Sequence, residues 1–269
     1  MDNNQEIRVL VVGSGNIGGA MACGMSTGGA KVILYNRSAK RLERYLGRED
    51  MQCTTDLATA FSLKPDIVLI CIEGHAVESW LESAGPLLSS SHAIVASAAA
   101  SVSISQMEAT LKPFISKPKL LRILPNIAAK LGKSVNLLAS SGLSTEEIST
   151  VKNLLSATGV CIEIEERLFG AAMSLSSCGI AFALRYVRAC TEAGVELGLS
   201  PWQASDITAA VLSGTAAMLE HKENGRRPHA EELVDSVTTP GGLTIKGLNE
   251  MENNGFSKAV LAGIKAAVK

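Results

Sequence analysis

A glycine-rich segment near the amino terminus has the spacing of a dinucleotide-binding turn. Residues 13–18 read Gly-Ser-Gly-Asn-Ile-Gly, the pattern G-x-G-x-x-G, between a strand predicted at 7–12 and a helical pattern. Gly13 would permit the tight turn, Gly15 would let a pyrophosphate approach the backbone, and Gly18 would let the helix pack closely on the strand. We therefore predict a cofactor-binding turn made of Gly13, Ser14, Gly15, Asn16, Ile17 and Gly18.

The residues that end the second strand indicate which dinucleotide binds. An acidic side chain there would hydrogen-bond the ribose 2′-hydroxyl of NAD, whereas an arginine accommodates the 2′-phosphate of NADP. Residues 34–38 read Leu-Tyr-Asn-Arg-Ser and hold no carboxylate. Arg37, flanked by the Asn36 amide and the Ser38 hydroxyl, offers charge-assisted hydrogen bonds to a phosphate. We predict NADPH as the cofactor, with NADH less favoured, and Asn36 or Ser38 could also cap the next helix.

A second anion-binding pattern lies near the carboxyl terminus. Thr239 is followed by Pro240, Gly241 and Gly242, which predicts a helix start with exposed backbone N–H groups. Such a helix start can bind the carboxylate of a substrate. From these residues alone, an ordinary helix cap explains the pattern equally well.

Short runs of Val, Ile and Leu alternate with helical patterns in the first part of the chain, as in a parallel sheet with crossover helices. Ser144 and Glu147 form the pattern of a capping box at one helix start. The architecture predicted is α/β, with a Rossmann-type doubly wound sheet over residues 1–164 and an all-α dimerisation domain over residues 165–269. We predict strands at 7–12, 31–35, 67–72, 93–97, 119–124, 135–139 and 160–164, and helices at 16–27, 39–46, 57–62, 75–83, 103–111, 145–157, 178–197, 201–221, 230–237, 243–254 and 257–268.

Composition argues against several other classes of protein. The formal net charge is −1 without long runs of like charge, so nothing indicates a nucleic-acid or anionic-membrane surface. The longest apolar runs fall far short of the roughly 20 residues that a membrane span needs. The six cysteines stand singly, which predicts buried reduced thiols and no metal site, and the four histidines lack the spacing of a catalytic dyad. The amino terminus shows no secretory signal, so we expect a cytoplasmic enzyme with a small-molecule substrate.

The helix predicted from residue 178 onward is apolar around most of its circumference between residues 180 and 197. Such a helix must be covered on nearly all sides. A helical domain of this size can hardly cover it alone, and symmetric dimers commonly provide the second surface. We predict a homodimer, or a larger homo-oligomer built of dimers; the alternative is a helix buried within one subunit.

Three further segments resemble motifs of the pyrroline-5-carboxylate reductase family. Residues 236–245 read Ser-Val-Thr-Thr-Pro-Gly-Gly-Leu-Thr-Ile and resemble V-[ST]-S-P-G-G-[TA]-T-I. Residues 192–200 resemble D-A-G-V-x-x-G-L-P, and residues 121–126 resemble R-x-M-P-N. Because the order and the distances also match, the chain is identified as a member of this family over essentially its whole length.

This resemblance implies an oxidoreductase of proline biosynthesis that reduces 1-pyrroline-5-carboxylate to L-proline with NADPH, by hydride transfer to the cyclic imine. It also implies that helical domains interlock two subunits. Glu223 is a candidate for contacting the substrate amine, and a solvated loop carboxylate is its alternative reading. By resemblance, the catalytic and substrate-binding groups are Thr239 and Thr244 with Gly241 and Gly242, and Asn126 lies near the nicotinamide.

Some residues depart from the family motifs. Residues 176–182 read Ser-Ser-Cys-Gly-Ile-Ala-Phe where the family has S-G-S-G-P-A-Y, and Leu243 adds apolar bulk beside the expected carboxylate position. Glu73 stands where a lysine is common near the cofactor. Two alternatives therefore stay open. One is a divergent reductase of the same family that acts on another cyclic imine, and the other is a non-catalytic protein that binds NADP.

Overall fold

The computed structural model describes residues 6–222 and 225–268, which belong to two compact units. The strands of the first unit are β1 (Arg8–Val12), β2 (Lys31–Tyr35), β3 (Met51–Thr54), β4 (Ile67–Ile70), β5 (Ile94–Ser97), β6 (Leu120–Leu124), β7 (Ser134–Ser141) and β8 (Gly159–Glu163). They form one sheet in the order β3-β2-β1-β4-β5-β6-β7-β8, and only β6 and β7 pair antiparallel among the described strands. The order from β3 to β6 is that of a Rossmann fold, which confirms the predicted fold class. The sequence patterns did not predict β3.

Helices cover both faces of this sheet. They are α1 (Asn16–Thr27), α2 (Leu57–Ser62), α3 (Val77–Ser91), α4 (Ile104–Leu111), α5 (Thr145–Ser156) and α6 (Phe169–Ser176). Successive side chains of β1 point to opposite faces, so Val9 and Val11 join the core beneath α1 and α5, while Leu10 and Val12 join the core beneath α2, α3 and α4. Burial on both faces explains why the central strands are almost entirely apolar.

Two local predictions have opposite outcomes. The Ser144 hydroxyl accepts a hydrogen bond from the Glu147 amide at 3.2 Å and the Glu147 carboxylate accepts one from the Ser144 amide at 2.9 Å, so the capping box is confirmed. The helix predicted at 39–46 is wrong, because two 3-10 turns, Ala39–Arg41 and Glu43–Tyr45, occupy that segment. The buried apolar residues there are Leu42 and Tyr45, whose three-residue spacing places them on one side of a 3-10 turn.

The first unit ends at Ser177 and the second begins at Cys178, whereas the end of the strand patterns placed the expected boundary at residue 164 or 165. A 3-10 turn at Glu166–Leu168 and helix α6 follow β8 and remain with the first unit. Phe169 explains this difference, because its ring is buried against Leu124 and Leu137 of the sheet.

The second unit consists, in its described residues, of helices α7 (Cys178–Glu196), α8 (Pro201–Glu220), α9 (Ala230–Ser236), α10 (Leu243–Asn253) and α11 (Phe256–Ala266). Helix α7 packs closely along α8, since a Cβ at Gly194 would lie 2.7 Å from the Cβ of Ala204. Among the described residues of α7, only Gly194 is buried. Burial within one subunit, the alternative for this helix, is therefore wrong. Apolar side chains of α7 are therefore exposed in the single subunit and can be covered by the surface of another subunit.

Residues Glu166–Glu196 are the one helical stretch, within the described ranges, that is long and apolar enough to cross a membrane, with a mean hydropathy of 1.4. Length and composition are weak grounds for a span, because the core helix of a subunit interface has the same properties. The exposed ion pair Arg188–Glu192 lies in this stretch at 2.7 Å, and such charges are costly in hydrocarbon.

Candidate active site

The glycine turn between β1 and α1 has the geometry that its spacing predicts. Gly13 has a φ of +101°, and a Cβ there would lie 2.5 Å from the carbonyl oxygen of Cys71. A Cβ at Gly18 would collide with the Gly13 carbonyl and approach the Cβ of Cys71 at 2.9 Å. A Cβ at Gly15 would have no heavy atom of the described residues within 4 Å, apart from those of its neighbours in the chain. Gly13 and Gly18 are thus required by the protein itself, whereas the space beside Gly15 is open.

The side chain of Ser14 is turned into the protein. The residue is 1% exposed. Its hydroxyl donates to the backbone carbonyl of Arg41 at 3.0 Å and accepts from the side-chain amide nitrogen of Asn36 at 2.9 Å. These hydrogen bonds join the glycine turn to the segment after β2, so only the backbone of Ser14 is available to a ligand.

The predicted phosphate-selecting residues Asn36, Arg37 and Ser38 directly follow β2 and so lie beside the glycine turn, since the Gly13 amide donates to the Tyr35 carbonyl at 2.8 Å. The Asn36 side-chain oxygen accepts from the Ser38 amide at 3.0 Å, and the Ser38 side chain makes no helix cap in the described structure. Arg37 is exposed, and no hydrogen bond or ion pair joins its side chain to the described residues. Its guanidinium is therefore available to bind an anion.

Arg44 is a residue that the sequence patterns did not single out. Its guanidinium donates to the carbonyl of Ser14 at 2.5 Å and lies 4.8 Å from the ring centre of Tyr45. Its positive charge thus stands at the glycine turn. The basic residues Lys40, Arg41 and Arg44, spaced closely after Arg37, were the available signal, but the incorrect helix prediction concealed their arrangement.

Cys71 lies directly after β4 and beneath the glycine turn. Burial raises the pKa of its thiol to about 12, so the thiol is protonated at neutral pH and is not a nucleophile. All six cysteines are free, as predicted. Each residue as a whole is partly exposed rather than fully buried, although the thiol of Cys71 itself is buried. Within the described ranges, no group of three His, Cys, Asp or Glu side chains could hold a metal ion.

Asn126 follows β6 and is 5% exposed. Its side-chain oxygen accepts from the Ala128 amide at 3.0 Å and its side-chain nitrogen donates to the Ser176 carbonyl at 3.3 Å. Its backbone amide donates to the Ser134 hydroxyl at 2.9 Å. Asn126 therefore caps the 3-10 turn Ile127–Leu131 and fixes the end of α6, a structural task that the resemblance did not indicate.

The second unit brings the predicted substrate residues together at the start of α10. The Gly242 amide donates to the Thr239 carbonyl at 3.0 Å, and Gly241 has a φ of +70°, so residues 239–242 form a tight turn. Gly242 is the N-cap residue, and no described side chain caps the helix. Thr244 lies in the first turn of α10, whose backbone amides have no partner within the helix. The Thr239 side chain makes no hydrogen bond that caps this helix, and substrate binding at this turn stays a prediction. The remaining candidate, Glu223, lies outside the described residues.

Comparisons with known proteins agree with the motifs. Residues 166–269 match the family model described as pyrroline-5-carboxylate reductase dimerisation, and residues 8–101 match NADP oxidoreductase, coenzyme F420-dependent. Pyrroline-5-carboxylate reductase 2 of Dictyostelium discoideum is 32% identical over 281 residues, which cover 98% of this chain and 91% of that protein.

Two solved structures show the same fold. The pyrroline-5-carboxylate reductase of Coxiella burnetii has a TM-score of 0.87 at 22% identity, covering 98% of this chain and 97% of that one. The pyrroline carboxylate reductase of Plasmodium falciparum, solved with NADP bound, has a TM-score of 0.81 at 21% identity and covers 98% of this chain and 96% of its own. Because the similarity to the Dictyostelium protein extends over nearly the full length of both chains, this chain belongs to the pyrroline-5-carboxylate reductase family.

Proposed function

We propose that the protein reduces 1-pyrroline-5-carboxylate to L-proline with NADPH as the hydride donor. The observation that carries this proposal is the 32% identity, over 98% of the chain, to a protein named as a pyrroline-5-carboxylate reductase. The NADP bound to the Plasmodium falciparum relative supports the choice of cofactor.

The first unit has the features that a dinucleotide requires. The open space beside Gly15 fits a pyrophosphate, because a Cβ would fill it, and the amides at the start of α1 can donate to the phosphate oxygens. Arg37, whose guanidinium pairs with no residue of the described ranges, is the residue that would hold the 2′-phosphate, with Ser38 beside it. When bound, NADPH supplies a hydride from its nicotinamide ring.

The second unit offers an anion-binding position for the substrate. The uncapped first turn of α10 presents backbone amides and the positive end of the helix dipole to a carboxylate. The Thr244 hydroxyl lies in that turn and can hydrogen-bond the carboxylate or the ring nitrogen. Hydride addition requires a protonated imine nitrogen, and either the substrate carries that proton on binding or a Thr239 or Thr244 hydroxyl relays it. The protein's main task is therefore to position the reactants.

A kinetic comparison of two threonine variants tests this proposal. Purified protein should oxidise NADPH when 1-pyrroline-5-carboxylate is added. Thr244→Ala removes a hydrogen bond to a charged group, which is worth about 1.5–3 kcal/mol, so kcat/KM should fall by roughly ten- to a hundredfold. Thr150→Ala, which removes an exposed helical hydroxyl on α5, is the matched control and should leave kcat/KM unchanged. Absence of turnover in a protein that binds NADPH would contradict the proposal.

A second candidate function is the reduction of a different cyclic imine by the same arrangement. Leu243, 87% exposed at the first position of α10, favours it because this side chain adds apolar surface beside the carboxylate position. A panel of cyclic imines with six-membered rings or without a carboxylate separates the two functions. A kcat/KM for one of them that exceeds the value for 1-pyrroline-5-carboxylate would favour the second candidate.

The carboxyl-terminal region carries a dimerisation domain, so the chain forms homo-oligomers. We infer a homodimer in which α7 and α8 are covered by a second copy, with larger assemblies built from that dimer. The exposed side chains of Leu184 and Val211 support this inference. Light scattering on the purified protein measures the number of subunits, and a monomer at micromolar concentration would contradict it. A cytoplasmic location stays a prediction from the sequence.

A further inference from the structure

A mostly buried arginine in the first unit has no task in the function proposed above. Arg122 lies in the middle of β6, and its side chain is 11% exposed. Its guanidinium pairs with the Glu166 carboxylate at 3.0 Å and donates to the carbonyl of Ala100. The same group lies 4.6 Å from the ring centre of Phe169. Burying a guanidinium is costly unless its partners are well placed, so these contacts need an explanation beyond stability.

Glu166 extends the arrangement to a further element. The carboxylate oxygen that pairs with Arg122 also accepts a hydrogen bond from the Ile104 amide at 2.8 Å. Ile104 is the first residue of α4, whose amino-terminal amides favour a negative charge. Arg122 and Glu166 therefore join β6, the loop between β5 and α4, and the turn that precedes α6.

Helix α6 is held at both ends. Its first residue, Phe169, packs under the Arg122 guanidinium, and the Ser176 carbonyl near its last turn accepts from the Asn126 side chain. Both Arg122 and Asn126 belong to one short segment of β6 and the turn that follows it. The end of the first unit is thus fixed to the strand that carries these two residues.

The location of this arrangement indicates what it positions. In a Rossmann fold the dinucleotide crosses the carboxyl ends of the strands where the strand order reverses, here between β1 and β4. The ribose phosphate half would lie at the end of β2, beside Arg37, so the nicotinamide half would lie on the side of β4, β5 and β6. The loop that contains Ala100 begins at the carboxyl end of β5.

We propose that Arg122 and Glu166 are a positioning pair for hydride transfer, which hold the β5–α4 loop and α6 in one arrangement at the nicotinamide half of the site. This inference rests on the proposed reductase function. Neither residue touches the reactants; each acts through the backbone that it holds. The pair should therefore affect kcat and leave the binding of NADPH unchanged.

The test compares Arg122→Lys, Glu166→Gln and the double variant with a neighbouring exposed ion pair. Each single variant should lower kcat by about tenfold or more, because small displacements of reacting groups are that costly, while the Kd for NADPH stays unchanged. The double variant should be no slower than the single variants, since both remove the same restraint. Arg167→Lys and Glu165→Gln alter a pair that is 71% and 66% exposed, and they should match the unmodified enzyme.

Hydrogen exchange followed by mass spectrometry provides a readout that does not depend on activity. Faster exchange in residues 98–104 and 169–176 of the variants, with unchanged exchange elsewhere, supports the positioning role. Unchanged exchange with unchanged kcat would overturn it. A Kd for NADPH that rises by the same factor as kcat/KM falls would overturn it as well. If Arg122→Lys does not fold, Glu166→Gln decides, because glutamine keeps both the size and a carbonyl acceptor. If the unmodified protein does not turn over 1-pyrroline-5-carboxylate, the reductase proposal fails, and exchange alone decides the role of the pair.

Discussion

The substitution Gly15→Ala should abolish most NADPH binding without destabilising the protein. Gly15 has a φ of −68° and a ψ of −167°, a conformation that alanine adopts readily. The added Cβ would have no heavy atom of the described residues within 4 Å, apart from those of its neighbours in the chain. Alanine is a weaker N-cap than glycine, but it also lowers the entropy of the unfolded chain. These opposing effects are each about 1 kcal/mol or less. The melting temperature should therefore barely change.

The loss in affinity follows from the same geometry. The added methyl group occupies the open space in which we place the pyrophosphate, and it separates the phosphate from the amides of the turn. Hydrogen bonds to charged groups are worth about 1.5–3 kcal/mol each, so the loss of one or two should weaken NADPH binding by roughly a hundredfold.

Gly18→Ala is the informative comparison. Here the Cβ would collide with the Gly13 carbonyl and crowd Cys71, and overpacking of this kind costs about 1–3 kcal/mol. The melting temperature should fall by about 2–4 °C for each kcal/mol. Calorimetric titration with NADPH and a thermal scan of both variants measure the two effects separately. Unchanged NADPH affinity in Gly15→Ala would refute the assignment of the open space to the pyrophosphate.

Three further predictions concern the cofactor, a helix cap and the response to acid. Arg37→Ala should weaken NADPH binding by about tenfold or more while NADH binding is unchanged. Lys64→Ala, in a groove at the amino-terminal ends of the strands and so at the other end from Arg37, should change neither. Ser144→Ala should lower the free energy of unfolding by about 0.5–2 kcal/mol in urea titrations, with normal NADPH affinity. Hydrogen bonds from Arg48 and then Ser26 hold the pKa of Asp50 below its usual value, so its ionised form contributes stability above the ordinary carboxyl pKa of about 4. That contribution is lost as the pH falls through the lowered pKa. In urea titrations, the difference in free energy of unfolding between the unmodified protein and Asp50→Asn should therefore shrink over the same pH range.

The sequence was sufficient to predict the Rossmann sheet because its central strands are buried on both faces and therefore apolar throughout. The strand β3 lacks this pattern. It has four residues, and only Met51 is buried, since β3 lies at the edge of the sheet. The segment 39–46 has helical composition, but burial of Leu42 and Tyr45 against the sheet favours 3-10 turns there.

In the candidate site, too, some residues were predictable from local sequence patterns and others were not. Local rules predicted the glycine turn and the start of α10, because both depend on residues adjacent in the sequence. Ser14, Asn126 and Arg122 act through partners far along the chain, such as Ser176 for Asn126, and no periodic pattern indicates such pairs. The carboxyl-terminal end of the first unit likewise depends on a long-range contact, the burial of Phe169 against β6 and β7.

The most direct test of the proposed function follows the hydride itself. NADPH carrying deuterium at the transferred position of the nicotinamide is incubated with the protein and 1-pyrroline-5-carboxylate, and the product is analysed by mass spectrometry and NMR. We expect one deuterium in proline, at the ring carbon that was double-bonded to nitrogen, for each NADPH oxidised. NADPH oxidation without labelled proline, or no oxidation by protein that binds NADPH, would contradict the assignment.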